Sequence, residues 1–150
     1  MWRGDGAPAW KRFTDGILVG VAVGVDVIVT IDAEGQLVRW RRTDGEKLDR
    51  QHVPGPTPRD LRLTDSGVIG VLDDDGVTVL APAAAPQRIH VAGAAAFSFG
   101  PGGGSVGVGT TSGRFTAIEL ATGGRVGRAR AAGRRARRGL GGARALARRR

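Results

Sequence analysis

Three stretches of this chain repeat one pattern at a period of about 40 residues, and that period limits the possible fold more than any other feature. They are VIVTIDAEGQLVRW from Val27, VIGVLDDDGVTVLA from Val68 and VGVGTTSGRFTAIE from Val106. Each alternates apolar and polar residues, passes an acidic or small polar turn, reaches a glycine (Gly35, Gly76, Gly113) and alternates again. Alternation at period two marks a half-buried strand. Asp or Ser before Gly supplies the hairpin, because glycine takes positive φ without steric cost.

A second register repeats with the first. RQHVPG from Arg50 and RIHVAG from Arg88 share Arg, His, Val and Gly at an offset of 38, and Arg128 and Gly133 follow Arg88 and Gly93 at 40, with Arg130 in the His place. TDGEKL from Thr43 and TGGRVG from Thr122 are matching polar turns before a fourth strand. The pattern predicts three units at 17–55, 56–93 and 94–128, between a lead-in at 1–16 and a tail at 129–150. Unit one has strands at Ile17–Val23, Val27–Ile31, Gln36–Arg41 and Lys47–Val53. Unit two has Asp60–Leu63, Val68–Leu72, Val77–Leu80 and Arg88–Val91; unit three has Ala95–Phe99, Val106–Gly109, Phe115–Leu120 and Arg125–Arg128. The 26 glycines in 150 residues fit short strands with many turns. One four-stranded antiparallel sheet cannot bury both of its faces, so such units stack and each covers its neighbour's apolar side. Radial stacking makes a propeller.

The stretches AEGQLVRWRRTDGEKL from Ala33 and AAFSFGPGGGSVGVGTTSGRFTAIELATGGRV from Ala95, with the period itself, resemble the WD40-like β-propellers. Trp40 stands where that family carries its third-strand Trp, although Arg41 rather than Asp follows it. The same turns resemble the quinoprotein-type (PQQ-like) repeat. The resemblance covers 17–128 and implies an all-β, incomplete propeller of about three blades. It further implies a non-catalytic protein-protein interaction module, with Arg39, Trp40 and Arg41 as contact candidates; its quinoprotein side implies, alternatively, a fragment of an enzyme. A closed ring takes about four to eight blades. Three blades are therefore a piece of a longer propeller, or are completed by self-association or by another chain. AWKRF from Ala9 reads as an outer strand left from a preceding blade, or as a closing strand.

No residue constellation calls for catalysis, a metal or a cofactor. Without Cys, thiolate chemistry and Cys-based metal sites are excluded. His52 and His90 hold equivalent places in consecutive units, which fits a repeated structural role on the outer strand. Asp73, Asp74 and Asp75 lack the spaced ligands and distant Glu of a calcium loop, and read as a soluble charged hairpin turn; Asp32 and Glu34 occupy the matching turn. GPGGGSVGVGT has no Lys and runs on into a strand, so it is a turn between two strands rather than a phosphate loop. Ser66, Ser98, Ser105 and Ser112 lie in or beside turns without a triad, and Trp2, Trp10 and Trp40 are not spaced to stack bases.

The net charge of +9 is confined to one end. From Arg128 onward there are 10 Arg and no acidic residue, whereas residues 1–127 hold 13 Lys or Arg against 14 Asp or Glu. A polyanion partner, nucleic acid or anionic lipid, would therefore engage the tail, through Arg134, Arg135, Arg137, Arg138, Arg148, Arg149 and Arg150. The same segment also reads as a disordered or partly helical end. Because Ala, Arg and Gly have GC-rich codons and the repeats stop where the charge begins, it further fits a changed reading frame. The N-terminus has no apolar stretch beside its basic residues, and ILVGVAVGVDVIVTI is broken by Asp26, so a cytoplasmic chain is expected.

Overall fold

The computed structural model describes residues 6–120, and the backbone of 125–130. Twelve strands form three four-stranded antiparallel sheets. The first blade contains β1 (Leu18–Val23), β2 (Val27–Asp32), β3 (Gln36–Arg41) and β4 (Lys47–His52). The second contains β5 (Asp60–Leu63), β6 (Ile69–Asp73), β7 (Gly76–Leu80) and β8 (Gln87–His90). The third contains β9 (Ala94–Phe99), β10 (Ser105–Thr110), β11 (Arg114–Glu119) and β12 (Arg125–Arg130). Each sheet keeps chain order from edge to edge, and every expected strand is present within one or two residues at each end. The last strand runs two residues past the expected end of the third unit; the Arg-rich segment from 131 lies outside the described residues.

The hairpins are made where turn chemistry placed them. Gly35 (φ +86°), Gly76 (φ +147°) and Gly113 (φ +81°) all occupy the positive-φ region. The glycine-rich stretch forms the link between β9 and β10, with one 3₁₀ turn at Pro101–Gly103.

Blades stack in chain order, β5 against β1 and β2, and β9 against β6 and β7. Two apolar junctions result. The first holds Val29, Ile31 and Leu37 of the first blade against Leu61, Ile69, Val71 and Leu80 of the second. The second holds Leu72, Val77, Val79 and Ile89 against Phe97, Val106, Val108 and Ile118. The middle blade is covered on both faces, so all ten residues of β6 and β7 are buried. Among the described residues no further sheet covers the outer face of either end blade.

The lead-in forms no strand among the described residues. It runs across the open face of the first blade, held by side-chain bonds to backbone. Trp10 Nε1 donates to the Arg42 carbonyl at 2.8 Å, and Arg12 donates to the carbonyls of Gly45 (2.9 Å) and Asp44 (3.0 Å). At the other end of the blade the Ala33 N–H donates to the Ile17 carbonyl at 2.8 Å. Between these anchors, Phe13–Gly16 and the sheet residues Thr30, Val38 and Trp40 enclose a cavity of about 250 Å³.

Candidate functional site

The ladder registers show that the three blades are built on one template. Facing the preceding blade, one row reads Val23–Ile28–Trp40 in the first blade, Leu63–Ile69–Leu80 in the second and Phe99–Val106–Ile118 in the third. The adjacent row reads Val21–Thr30–Val38, Leu61–Val71–Thr78 and Phe97–Val108–Thr116. On the fourth strand, Arg50, Arg88 and Arg128 pair with Val38, Thr78 and Thr116 in the same register. The repeated Arg of the sequence is thus one structural position.

Among the described residues, this template identifies the open face of the first blade as a stacking face without a neighbouring sheet. Leu61 and Phe97, in their junctions, are each 5% exposed, whereas the equivalent Val21 is 56% exposed. Val23 is 62% exposed, and Leu18, Val25, Ile17 and Phe13 extend the apolar surface along β1 and the lead-in. A contiguous apolar patch of this kind marks an interaction site more often than it marks an ordinary surface.

The other half of the same face is closed from within. Trp40 is 5% exposed, donates from Nε1 to Thr30 Oγ1 at 3.0 Å, and carries Lys47 Nζ 5.6 Å from its ring centroid. Thr30→Val leaves this buried N–H without its acceptor and is expected to lower stability by about 1–2 kcal/mol in a urea titration. A loss near zero would remove the bond from the account of the face.

Arg39, Trp40 and Arg41 do not form one exposed contact surface. Alternation sends Arg39 to the opposite face, where it donates to Asp49 at 2.8 Å and to Gln51 at 3.3 Å. Trp40 is covered as described. Arg41 is exposed and bridges Asp44 (3.1 Å) and Glu46 in the β3–β4 turn. The N–H of Glu46 holds the Asp44 carboxyl below its ordinary range. The two carboxylates hold the Arg41 guanidinium above its own. The Arg-rich candidates Arg134, Arg135, Arg137, Arg138, Arg148, Arg149 and Arg150 lie outside the described residues.

The acidic run is more than a soluble turn. Asp73 is buried, and both its oxygens accept from Arg88 at 2.7 Å while Oδ1 also accepts the Asp75 N–H at 2.9 Å. Arg88 further donates to Thr78 at 3.0 Å, and the Asp73 bond holds its guanidinium pKa above the usual value. Only Asp74 and Asp75 project, with Asp74 paired to Arg59. Asp32 makes the equivalent turn, accepting the N–H groups of Glu34 and Gln36 at 2.9 Å each. Arg50 makes no ion pair there among the described residues, because the chain at Gly16 lies against the free side of Asp32. His52 and His90 sit at equivalent places on β4 and β8, opposite Gln36 and Gly76. Among the described residues no three His, Asp or Glu side chains converge as metal ligands.

No family model matches the chain, and no curated protein matches it by sequence. Solved structures do match by fold. The WD40 repeats of RRP9 align with a TM-score of 0.64 at 12% identity, over 78% of this chain and 39% of that one. The β-propeller domain of Cps50 (Swd1) from Myceliophteria thermophila aligns at 0.62 and 13% identity, over 77% and 42%. The computationally designed protein Ika4 aligns at 0.64 and 17% identity, over 78% and 74%. The chain therefore spans about two-fifths of the RRP9 and Cps50 propellers it matches. Its three sheets, stacked in order and superposable on these neighbours, have the fold of three β-propeller blades.

Proposed function

We propose that this chain is a non-catalytic protein-binding module whose docking surface is the open face of the first blade. One observation carries the reading: Val21 and Val23 occupy the places that Leu61 and Leu63, and Phe97 and Phe99, use to seat against a neighbouring sheet, yet they stand in solvent. Burying each of these two valines under a partner contributes about 1 kcal/mol, roughly half the value for a fully transferred side chain. Leu18, Val25 and Phe13 enlarge the apolar area, and charges of both signs border it, Arg42, Lys47 and Arg50 with Asp15 and Glu34. An apolar centre with a charged border is the usual anatomy of a protein interface.

Photo-crosslinking in the native cell tests the reading. A photoreactive residue at Val23 of the full chain is expected to capture protein, whereas one at Asp74, exposed at the β6–β7 turn of the middle blade, is not. Adding Val21→Glu should suppress the Val23 adducts at least about tenfold, since a buried unpaired carboxylate is costly. Equal capture at the two positions, or none at either, sinks the assignment of this face.

A further inference from the structure

The docking face has a matching surface elsewhere on the same molecule. Both internal junctions pair the same two kinds of face. The face turned back toward the preceding blade projects a large side chain, and the face turned forward receives it beside a glycine, Gly20 on β1 in the first blade and Gly70 on β6 in the second. A Cβ on Gly20 of the first blade would lie 2.7 Å from Leu61 Cβ of the second. A Cβ on Gly70 of the second would lie 2.5 Å from Phe97 Cε2 of the third. Leu61 and Phe97 are the register equivalents of Val21.

The forward face of the third blade continues the series, and among the described residues nothing is seated on it. Gly107 pairs with Ser98 and Ala117 as Gly70 pairs with Arg62 and Val79, and a Cβ on Gly107 would meet no atom within 4 Å. The neighbouring row, Ala96–Gly109–Phe115, adds a second shallow place and one exposed aromatic ring. The described residues thus hold one unused back face, with Val21 and Val23 projecting, and one unused forward face, with an empty hollow at Gly107, the place where Gly70 receives Phe97 in the second junction.

We propose that a second copy of this chain unites them: the back face of each first blade seats on the forward face of the partner copy's third blade, giving a six-bladed ring of two chains. This rests on the reading of the first-blade face as a docking surface and names its occupant. Six blades lie within the range of closed propellers. Two such junctions related by a two-fold axis leave neither face open, as closed symmetric association requires. The lead-in residues Phe13–Gly16 then lie at the border of the junction, over the β3 and β4 half of the face, and the β1 half makes the contact.

The test is the mass of the full chain in solution, by sedimentation velocity and native mass spectrometry. The wild type is expected at twice the chain mass. Gly107→Leu fills the hollow at a position that is open in the single copy, so it should keep the circular dichroism spectrum and weaken the dimer at least about 100-fold. Ala117→Arg on the same row, at the place of the buried Val79, and Val21→Glu on the opposite face should do the same. An equimolar mixture of Val21→Glu and Gly107→Leu should regain dimer, since each copy supplies the intact face that the other lacks. A dimer that survives Gly107→Leu and Ala117→Arg but not Val21→Glu pairs two like faces and overturns the proposal. Open-ended assemblies that grow with concentration overturn the closed ring. A wild-type monomer that still gives Val23 adducts to a different protein overturns the second copy alone; a monomer without adducts removes the docking reading as well.

Discussion

Replacing Gly76 with alanine is expected to lower the melting temperature of the chain by about 10 °C, the largest effect of any single methyl group in the body, from a stability loss of at least about 3 kcal/mol. Two features combine there. The residue closes the β6–β7 turn at φ +147°, a conformation that L side chains rarely adopt, and its Cβ would run into the Ile89 carbonyl on β8. Neither strand can yield. Gly76 pairs with His90, and the Val91 N–H donates to the Asp75 carbonyl at 2.8 Å, so moving β8 breaks the ladder that holds the middle blade to its outer strand. Alanine at Gly104, at φ −81° and unobstructed, is the matched control and should melt within a degree or two of wild type. Equal melting temperatures for the two variants would falsify the account of the turn.

The Asp73–Arg88 pair carries the second large effect. Arg88→Met keeps most of the side-chain volume and leaves the Asp73 carboxylate, buried at the junction beside Gly55 of the linker between blades, without its counter-charge. The expected loss is about 3 kcal/mol, within the range for removing one partner of a buried pair. Asp73→Asn should lose less, because the amide oxygen still accepts from Asp75 and Arg88 is itself partly solvated. Denaturant titration of both single variants and the double variant gives the coupling energy, expected above about 1.5 kcal/mol. Additive losses would reduce the pair to two independent surface contacts. On the alkaline side the contribution is flat: the Asp73 bond holds Arg88 above the ordinary guanidinium range, so its share of the stability is complete below that range and declines only at still higher pH.

The same residues show how far the sequence could be read. Strand positions followed from alternation and from the glycines because both are local: a period of two needs only consecutive residues, and positive φ at Gly35, Gly76 and Gly113 is set within one turn. The repeated Arg was visible at Arg50 and Arg88, but its role was not. Arg88 finds Asp73 across a hairpin and an outer strand, while Arg50 meets Asp32 with another segment already against it. Identical register does not produce identical partners. Trp40 was placed on its strand by the repeat, yet its burial depends on the lead-in, whose course over the sheet is held by side chains bonding to carbonyls 32 and 33 residues away. No local pattern encodes such a path. The contact candidates Arg39, Trp40 and Arg41 were adjacent in sequence, and adjacency in a strand is what divides them between two faces.

By itself the sequence determined an all-β chain of three repeated units, the strands within each, and the need for blades to cover one another, since all of these rest on short-range backbone preferences and on the periodic placement of apolar residues. Tertiary structure alone decided which apolar residues remain uncovered. Val21, Leu61 and Phe97 are equivalent in pattern, and only the stacking of whole sheets separates the two that are buried from the one that faces water. Burial of a sheet face is a property of what lies about 10 Å above it, and that neighbour comes from another part of the chain or from another chain.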